Sequence, residues 1–218
     1  MTEFAHLLSA SLDVSKKDLR AIIGGINYNN KEYIAFGDRL NFIHIYNYDN
    51  ETNSFNLTNS FQAHDGWIGC LTYIKPCKQY PNGALVSGSH DKSVKIWDPS
   101  TIIANNSTPT PIDSYHHDGQ VCYFYSFNDD TGRIISTGWD SSCRIWDPNQ
   151  EEKVSIILKH ENLAIWSATP IPGGYITCGA DQTIRIWTDK GEHVNTIQDA
   201  HQFPIRGCAY IDSKKTLV

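Results

Sequence analysis

"LVSGSHDKSVKIWDP", residues 85–99, begins as an apolar strand, turns on a polar knot and closes on a second apolar run ending in Trp97. The chain spells the phrase twice more, as "IISTGWDSSCRIWDP" at 134–148 and "YITCGADQTIRIWTD" at 175–189. In each copy a hydroxyl residue stands four positions before an Asp, and a Trp stands six after it. The three sets are Ser87, Asp91, Trp97; Ser136, Asp140, Trp146; and Thr177, Asp181, Trp187. Recurrence in fixed order marks a structural unit copied along the chain, and it has to be read before any single residue is given a role.

The tryptophans are spaced by 49 and 41 residues, and Tyr46 in "NFIHIYNYD" precedes Trp97 by 51. That is the period of a four-stranded propeller blade with loop insertions. A histidine keeps the same beat in "AHDGWIGCLTY" (His64), "HHDGQVCYFYSF" (His117), "KHENLAIWSAT" (His160) and "AHQFPIRGCAY" (His201). Between these points the runs are short, alternating and rich in Val, Ile, Tyr and Trp, bounded by Gly, Pro, Asn and Asp. Almost nothing reads as helix, so the expected class is all-β.

With 218 residues, 40% of them hydrophobic and 19% charged, the chain can bury a sizeable core. A net charge of -6 without a Lys/Arg-rich run argues against a nucleic-acid partner, because phosphate binders carry a basic stripe that releases counterions. No stretch approaches the roughly 18 apolar residues of a membrane span, and "MTEFAHLLSASLDVSKK" lacks a basic leader with an apolar core. The expectation is a soluble, cytoplasmic chain, extending to the nucleus, with no membrane partner. Cys70, Cys122, Cys143, Cys178 and Cys208 fall in expected strands and Cys77 in a loop, with no C-x-x-C pair, so they read as small reduced residues. The glycan acceptor triplets at Asn50, Asn56, Asn105 and Asn106 read as chance in an Asn-rich chain.

Ser, His and Asp together suggest a catalytic triad, but a triad is made once and this set recurs with a Trp attached. The repeated histidines fall one per blade, too far apart to converge on a metal ion. No cofactor, metal or catalytic residue is expected, and a propeller hydrolase or lectin would need converging carboxylates that the sequence does not offer.

The His, Ser/Thr, Asp, Trp order closing on "IWD" or "IWT" resembles the WD-repeat propeller family. The resemblance implies a hydrogen-bonded relay inside each blade, carried by His64, Ser87, Asp91 and Trp97; by His117, Ser136, Asp140 and Trp146; and by His160, Thr177, Asp181 and Trp187. Blade one departs from the pattern: "KKDLRAI" offers no His, and Leu40 occupies the Asp position. Blades are expected at 18–61, 68–115, 121–158 and 164–198, with 205–218 starting a fifth. Residues 4–12, "FAHLLSASL", read as the outer strand that closes the ring. About four and a half blades of a seven-bladed ring are covered, so a fragment of a longer protein is expected. The insertions at 47–60 and 99–115, rich in Asn, Ser, Thr and Pro, read as solvated loops.

In that family partners meet the residue before each repeat Asp and the residues beside the start of each inner strand. Carried onto this chain, the first class gives His90, Trp139 and Ala180, and the second gives Arg20, Trp67, Gly69, Gln120, Cys122, Trp166 and Arg206. The set proposed to bind is Arg20, Trp67, His90, Trp139, Trp166 and Arg206, the composition of a protein-binding hot spot. A narrower resemblance rests on "FAHLLSASL", "HDGQVCYFYSF", "RIISTGWDSSCRIW", "NLAIWSATPI", "YITCGADQTIRIW" and "HQFPIRGCAY". These are similar to the opening blades of the phospholipase A(2)-activating protein, or ubiquitin fusion degradation, family. It implies a non-catalytic scaffold in ubiquitin-dependent protein turnover that binds ubiquitin or ubiquitylated proteins through its face. It also implies contact with an AAA ATPase only through C-terminal domains absent from this chain. The alternative is a generic WD-repeat adaptor for a peptide or another folded protein.

Overall fold

The computed structural model describes residues 18–49, 51–104, 108–127, 131–198, 200–211, 214 and 216–217. The closing strand expected at 4–12 lies outside the described residues. Four antiparallel meanders of four strands follow one another. The first holds β1 (Leu19–Tyr28), β2 (Lys31–Asp38), β3 (Phe42–Asp49) and β4 (Ser54–Gln62). The second holds β5 (Ile68–Ile74), β6 (Ala84–Ser89), β7 (Ser93–Trp97) and β8 (Asp113–His116). The third holds β9 (Val121–Ser126), β10 (Ile134–Gly138), β11 (Ser142–Trp146) and β12 (Val154–Lys159). The fourth holds β13 (Ile165–Ile171), β14 (Gly174–Gly179), β15 (Ile184–Thr188) and β16 (His193–Ile197), and a short pair, β17 (Tyr210–Ile211) with β18 (Thr216–Leu217), follows.

The first strands of successive sheets, β1, β5, β9 and β13, neighbour one another, so the sheets stand as blades around a common inner edge. Second strands are sandwiched between neighbouring blades. Every residue of β6, β10 and β14 is buried, which is why "ALVSGS", "IISTG" and "GYITCG" combine apolar residues with small ones. Gly88 shows the tolerance: a Cβ there would sit 2.7 Å from both Phe124 and Val121 of the next blade. Three apolar clusters fill the gaps between blades. Ile45 and Phe61 of blade one meet Leu85 and Trp97 of blade two; Val86 and Tyr115 of blade two meet Phe124 and Trp146; Ile135 and Ile145 meet Ile165 and Trp187.

The described residues of the two insertions expected as solvated loops contribute elements to the blades. Residues 47–49 and 54–60 extend β3 and β4, paired from Tyr46 and Leu57 out to Asp49 and Ser54, with Asn53 in the left-handed conformation just before β4. The segment after Trp97 forms a short helix, α1 (Pro99–Ala104). Asp98 caps it by accepting from the Ser100 N–H at 2.7 Å, and Pro99 fills the first turn, where no amide donor is needed. Its Ile102 is fully buried in the cluster between blades one and two, and its carbonyl accepts from Asn59 at 2.8 Å. Burying one Ile drives the turn against an otherwise polar composition.

Candidate functional site

Each of blades two to four contains the same buried polar chain. In blade two, Trp97 Nε1 donates to Ser87 Oγ at 2.8 Å, Ser87 Oγ lies 2.7 Å from His64 Nε2, and His64 Nδ1 lies 2.9 Å from Asp91. In blade three the corresponding distances through Trp146, Ser136, His117 and Asp140 are 2.6, 2.7 and 3.0 Å. In blade four, through Trp187, Thr177, His160 and Asp181, they are 2.8, 2.8 and 2.7 Å. A neutral imidazole with its proton on Nδ1 satisfies every atom: it donates to the carboxylate and accepts from the hydroxyl, which accepts in turn from the indole.

The electrostatics agree with that assignment. Burial holds the imidazoles of His64 and His160 below their usual pKa, which keeps them neutral at pH 7. Burial also pushes against charge on Asp91 and Asp140, but hydrogen bonds from His64 and Ser93, and from His117 and Ser142, outweigh it and hold both carboxyls well below the usual range. The chain therefore fixes the loop before each blade onto the turn between its second and third strands. Gly66 and Gly119 let the two approach: a Cβ at either would lie 2.6 Å from the backbone N of Asp91 or Asp140.

Blade one reaches the same end with other residues. Its β2–β3 turn has Asn41 in the left-handed conformation, the place held by Lys92, Ser141 and Gln182 in the other blades. Asp38, with no exposed surface, accepts from the N–H groups of Leu40 and Phe42, each at 2.9 Å. His44 Nε2 lies 3.0 Å from Asp38, and Ser60 Oγ lies 2.8 Å from His44 Nδ1. Sequence reading, anchored on Leu40, missed this network.

The starts of the inner strands and the turns between second and third strands share one end of the blades, because Ile68 pairs with Ser89 and Val121 with Gly138. There a cleft of about 400 Å³ is lined by Arg20, Trp67, His90, Trp139, Trp166 and Arg206, with Gly69, Cys122 and Tyr123 among the rest. The structure thus brings the six expected binding residues together; Gln120 and Ala180 lie outside the lining. Trp139 is 60% exposed and Trp67 43%, large values for residues that are mostly buried in proteins. Trp166 is half-buried under Arg206, whose guanidinium sits 4.2 Å from the ring centre. The Trp67 ring lies 5.1 Å from that of His90 and has Arg39 over it at 4.6 Å and Arg20 at 6.0 Å. Burial first, and the nearby Arg39 charge second, hold His90 below its usual pKa. Burial pushes the Cys122 thiol up to about 12, so it is protonated at neutral pH.

Arg39 belongs to this face and was not among the expected residues. It holds the place that His90, Trp139 and Ala180 hold in their blades, seven residues before the repeat Trp or Tyr of each third strand. That spacing, counted back from Tyr46, was the signal that could have found it.

Comparison with known proteins agrees with the geometry. The model of the WD domain, G-beta repeat, matches residues 55–98, 109–147 and 152–188, more than half of the chain. The chain belongs to the WD-repeat family. Its fold is that of the crystal structure of the WD40 beta propeller domain of Doa1, at a TM-score of 0.71 and 20% identity over 90% of this chain and 60% of that one. In sequence it is 24% identical over 197 residues to the ubiquitin homeostasis protein lub1 of Schizosaccharomyces pombe, covering 72% of this chain. It is 26% identical over 131 residues to the nuclear distribution protein PAC1 of Scheffersomyces stipitis, covering 56%. The chain spans about a quarter of the length of each, 26% and 22%. Within the WD-repeat family it resembles the N-terminal propeller of the phospholipase A(2)-activating protein group, to which Doa1 belongs.

Proposed function

We propose that this WD-repeat chain is a non-catalytic scaffold that binds ubiquitin, or ubiquitylated proteins, in the cleft at the start of its inner strands, and so serves ubiquitin-dependent protein turnover. The observation that carries the reading is the cleft itself. Three tryptophans, two of them well exposed, gather at one end of blades whose other tryptophans are buried. Clustered Trp with Arg is the composition of residues that dominate protein–protein binding energy. The likeness to a protein named for ubiquitin homeostasis supports the choice of partner. Ubiquitin presents a small apolar patch with basic residues around it. The tryptophans suit the patch, and the exposed Asp65, Asp118 and Glu161 in the loops before blades two, three and four suit the basic margin. A single ubiquitin held this way binds weakly, and chains gain by avidity. Contact with an AAA ATPase would run through domains outside this chain, and the compartment proposed is the cytoplasm, extending to the nucleus.

Titration of fluorescently labelled ubiquitin tests the proposal. Wild type is expected to bind, and Trp139→Ala to lose about thirtyfold in affinity, equivalent to about 2 kcal/mol, with its melting temperature little changed. Equal affinities would remove Trp139 from the site. Absence of binding by wild type would leave the general WD-repeat adaptor for a peptide or another folded protein.

A further inference from the structure

Two arginines of the cleft have no acidic partner among the described residues. On this end of the blades Arg39 pairs with Asp18, Arg144 with Asp118 and Asp140, and Arg185 with Asp181. Among the described residues Arg20 and Arg206 make no ion pair, and both are exposed. Each lies instead over a tryptophan of the cleft, Arg20 over Trp67 and Arg206 over Trp166. A guanidinium over a ring keeps N–H groups open to a carboxylate in a bidentate pair; Arg206 lies close over Trp166 at 4.2 Å, and Arg20 lies further from Trp67, at 6.0 Å, beside Arg39 at 4.6 Å. The two arginines hold corresponding places in the repeat: Arg20 follows Leu19, which opens β1, and Arg206 follows the buried Ile205 in the segment after blade four, ahead of β17. In the three blades between them that place is taken by Gly69, Cys122 and Trp166, so no side chain there supplies negative charge.

Among the described residues the lining of the cleft contains no Asp or Glu, although the chain carries a net charge of -6. Of the acidic residues at this end, Asp38, Asp91, Asp140 and Asp181 are held in the networks inside the blades and Asp18 pairs with Arg39, while Asp65, Asp118 and Glu161 sit exposed in the loops outside the cleft. The centre is therefore cationic and aromatic, inside an acidic margin. A phosphate backbone entering the cleft would have to pass that margin, which disfavours nucleic acid. A compact carboxylate on an otherwise neutral or basic polypeptide meets both zones favourably.

We propose that the cleft is a carboxylate subsite: Arg20 and Arg206 receive an acidic side chain of a polypeptide partner, with Trp67 and Trp166 packing against the segment that bears it. The subsite deepens the reading of this end as a partner surface and does not require that partner to be ubiquitin.

The test uses two fluorescein-labelled nonapeptides, one alternating Gly with Glu and the other Gly with Gln, titrated against the whole chain by fluorescence anisotropy. The Glu peptide is expected to bind, to weaken as salt is raised, and to bind about tenfold or more tighter than the Gln peptide. The double variant Arg20→Gln/Arg206→Gln is expected to bring the Glu peptide down to the level of the Gln peptide with an unchanged melting temperature. Arg20→Lys/Arg206→Lys is expected to keep part of the preference, because charge is retained while the fork is lost. Equal binding of the two peptides, no binding of either, or an undiminished Glu preference in the Gln double variant would overturn the proposal. A single-stranded oligonucleotide binding more tightly than the Glu peptide would overturn its assignment to polypeptide. Ubiquitin titrated in parallel separates the readings: failure there with the peptide preference intact removes ubiquitin alone, and the reverse removes the carboxylate subsite alone.

Discussion

Trp139 and Asp140 are neighbours in one turn, yet they belong to different regions of the molecule. Asp140 points into blade three, where His117, Ser142 and Arg144 surround it, and its counterparts Asp91 and Asp181 do the same in the blades on either side. Trp139 points outward into the cleft, and its counterparts are a histidine, an alanine and an arginine. The inward residues repeat because every blade must tie its turn to the preceding loop. The outward residues differ because no blade needs them. Blade one shows that the division is one of position and not of motif. Its Asp38 takes over the inward task, accepting from Phe42 N–H as Asp91 accepts from Ser93 N–H, while Arg39 beside it reaches the Trp67 ring.

If that division holds, stability should follow the inward residues. The largest effect is expected for Trp97→Ala, which empties a fully buried site and takes from Ser87 its indole donor, costing about 3 to 5 kcal/mol in denaturant unfolding. Trp67→Ala, made on an exposed ring, should cost well under half of that. Equal losses would erase the contrast between the regions. Next come Asp140→Ala and Asp38→Ala, each expected to cost about 1 to 3 kcal/mol by leaving buried donors unpaired. Similar values would show that the two blades use their carboxylates alike. A negligible loss for Asp38→Ala would break the analogy drawn for blade one.

Acidification acts on the same groups in a known direction. Folded His64 and His160 resist protonation, so the unfolded chain binds more protons once the pH falls below about 6.5, the ordinary imidazole value. Stability is therefore full above that pH and declines below it. Asp91 and Asp140, held low in the folded state, add a further decline below about 4. Melting temperatures should stay level from pH 8 to about 6.5 and fall from there to pH 4. A maximum near pH 5 would contradict neutral imidazoles in the relays.

The difference between the regions also sets what the sequence could disclose. The three relays were legible because Ser87, Ser136 and Thr177 recur at one distance from Asp and Trp, and recurrence identifies them without any knowledge of contacts. The network of Asp38, His44 and Ser60 was not, because its residues stand at other offsets and occur once. The only trace is a pair of polar residues inside the apolar runs "AFGD" and "FIHIY". The cleft was legible through the family pattern of positions, except for Arg39, which Leu40 in the usual Asp position concealed. The helix α1 was hidden by composition: Ser, Thr and Asn around it suggest solvent, and a single buried Ile102 decides otherwise.

The smallest expected change in stability, and the largest in binding, falls on the neighbouring pair itself. Labelled ubiquitin should be titrated into Trp139→Ala and Asp140→Ala at a temperature where melts show both to be folded. Trp139→Ala is expected to melt within about 0.5 kcal/mol of wild type and to lose about thirtyfold in affinity. Asp140→Ala is expected to melt lower and to keep affinity within about threefold of wild type. The reverse pattern, with binding lost at Asp140 and kept at Trp139, would contradict the assignment of partner binding to the cleft and of stability to the relay.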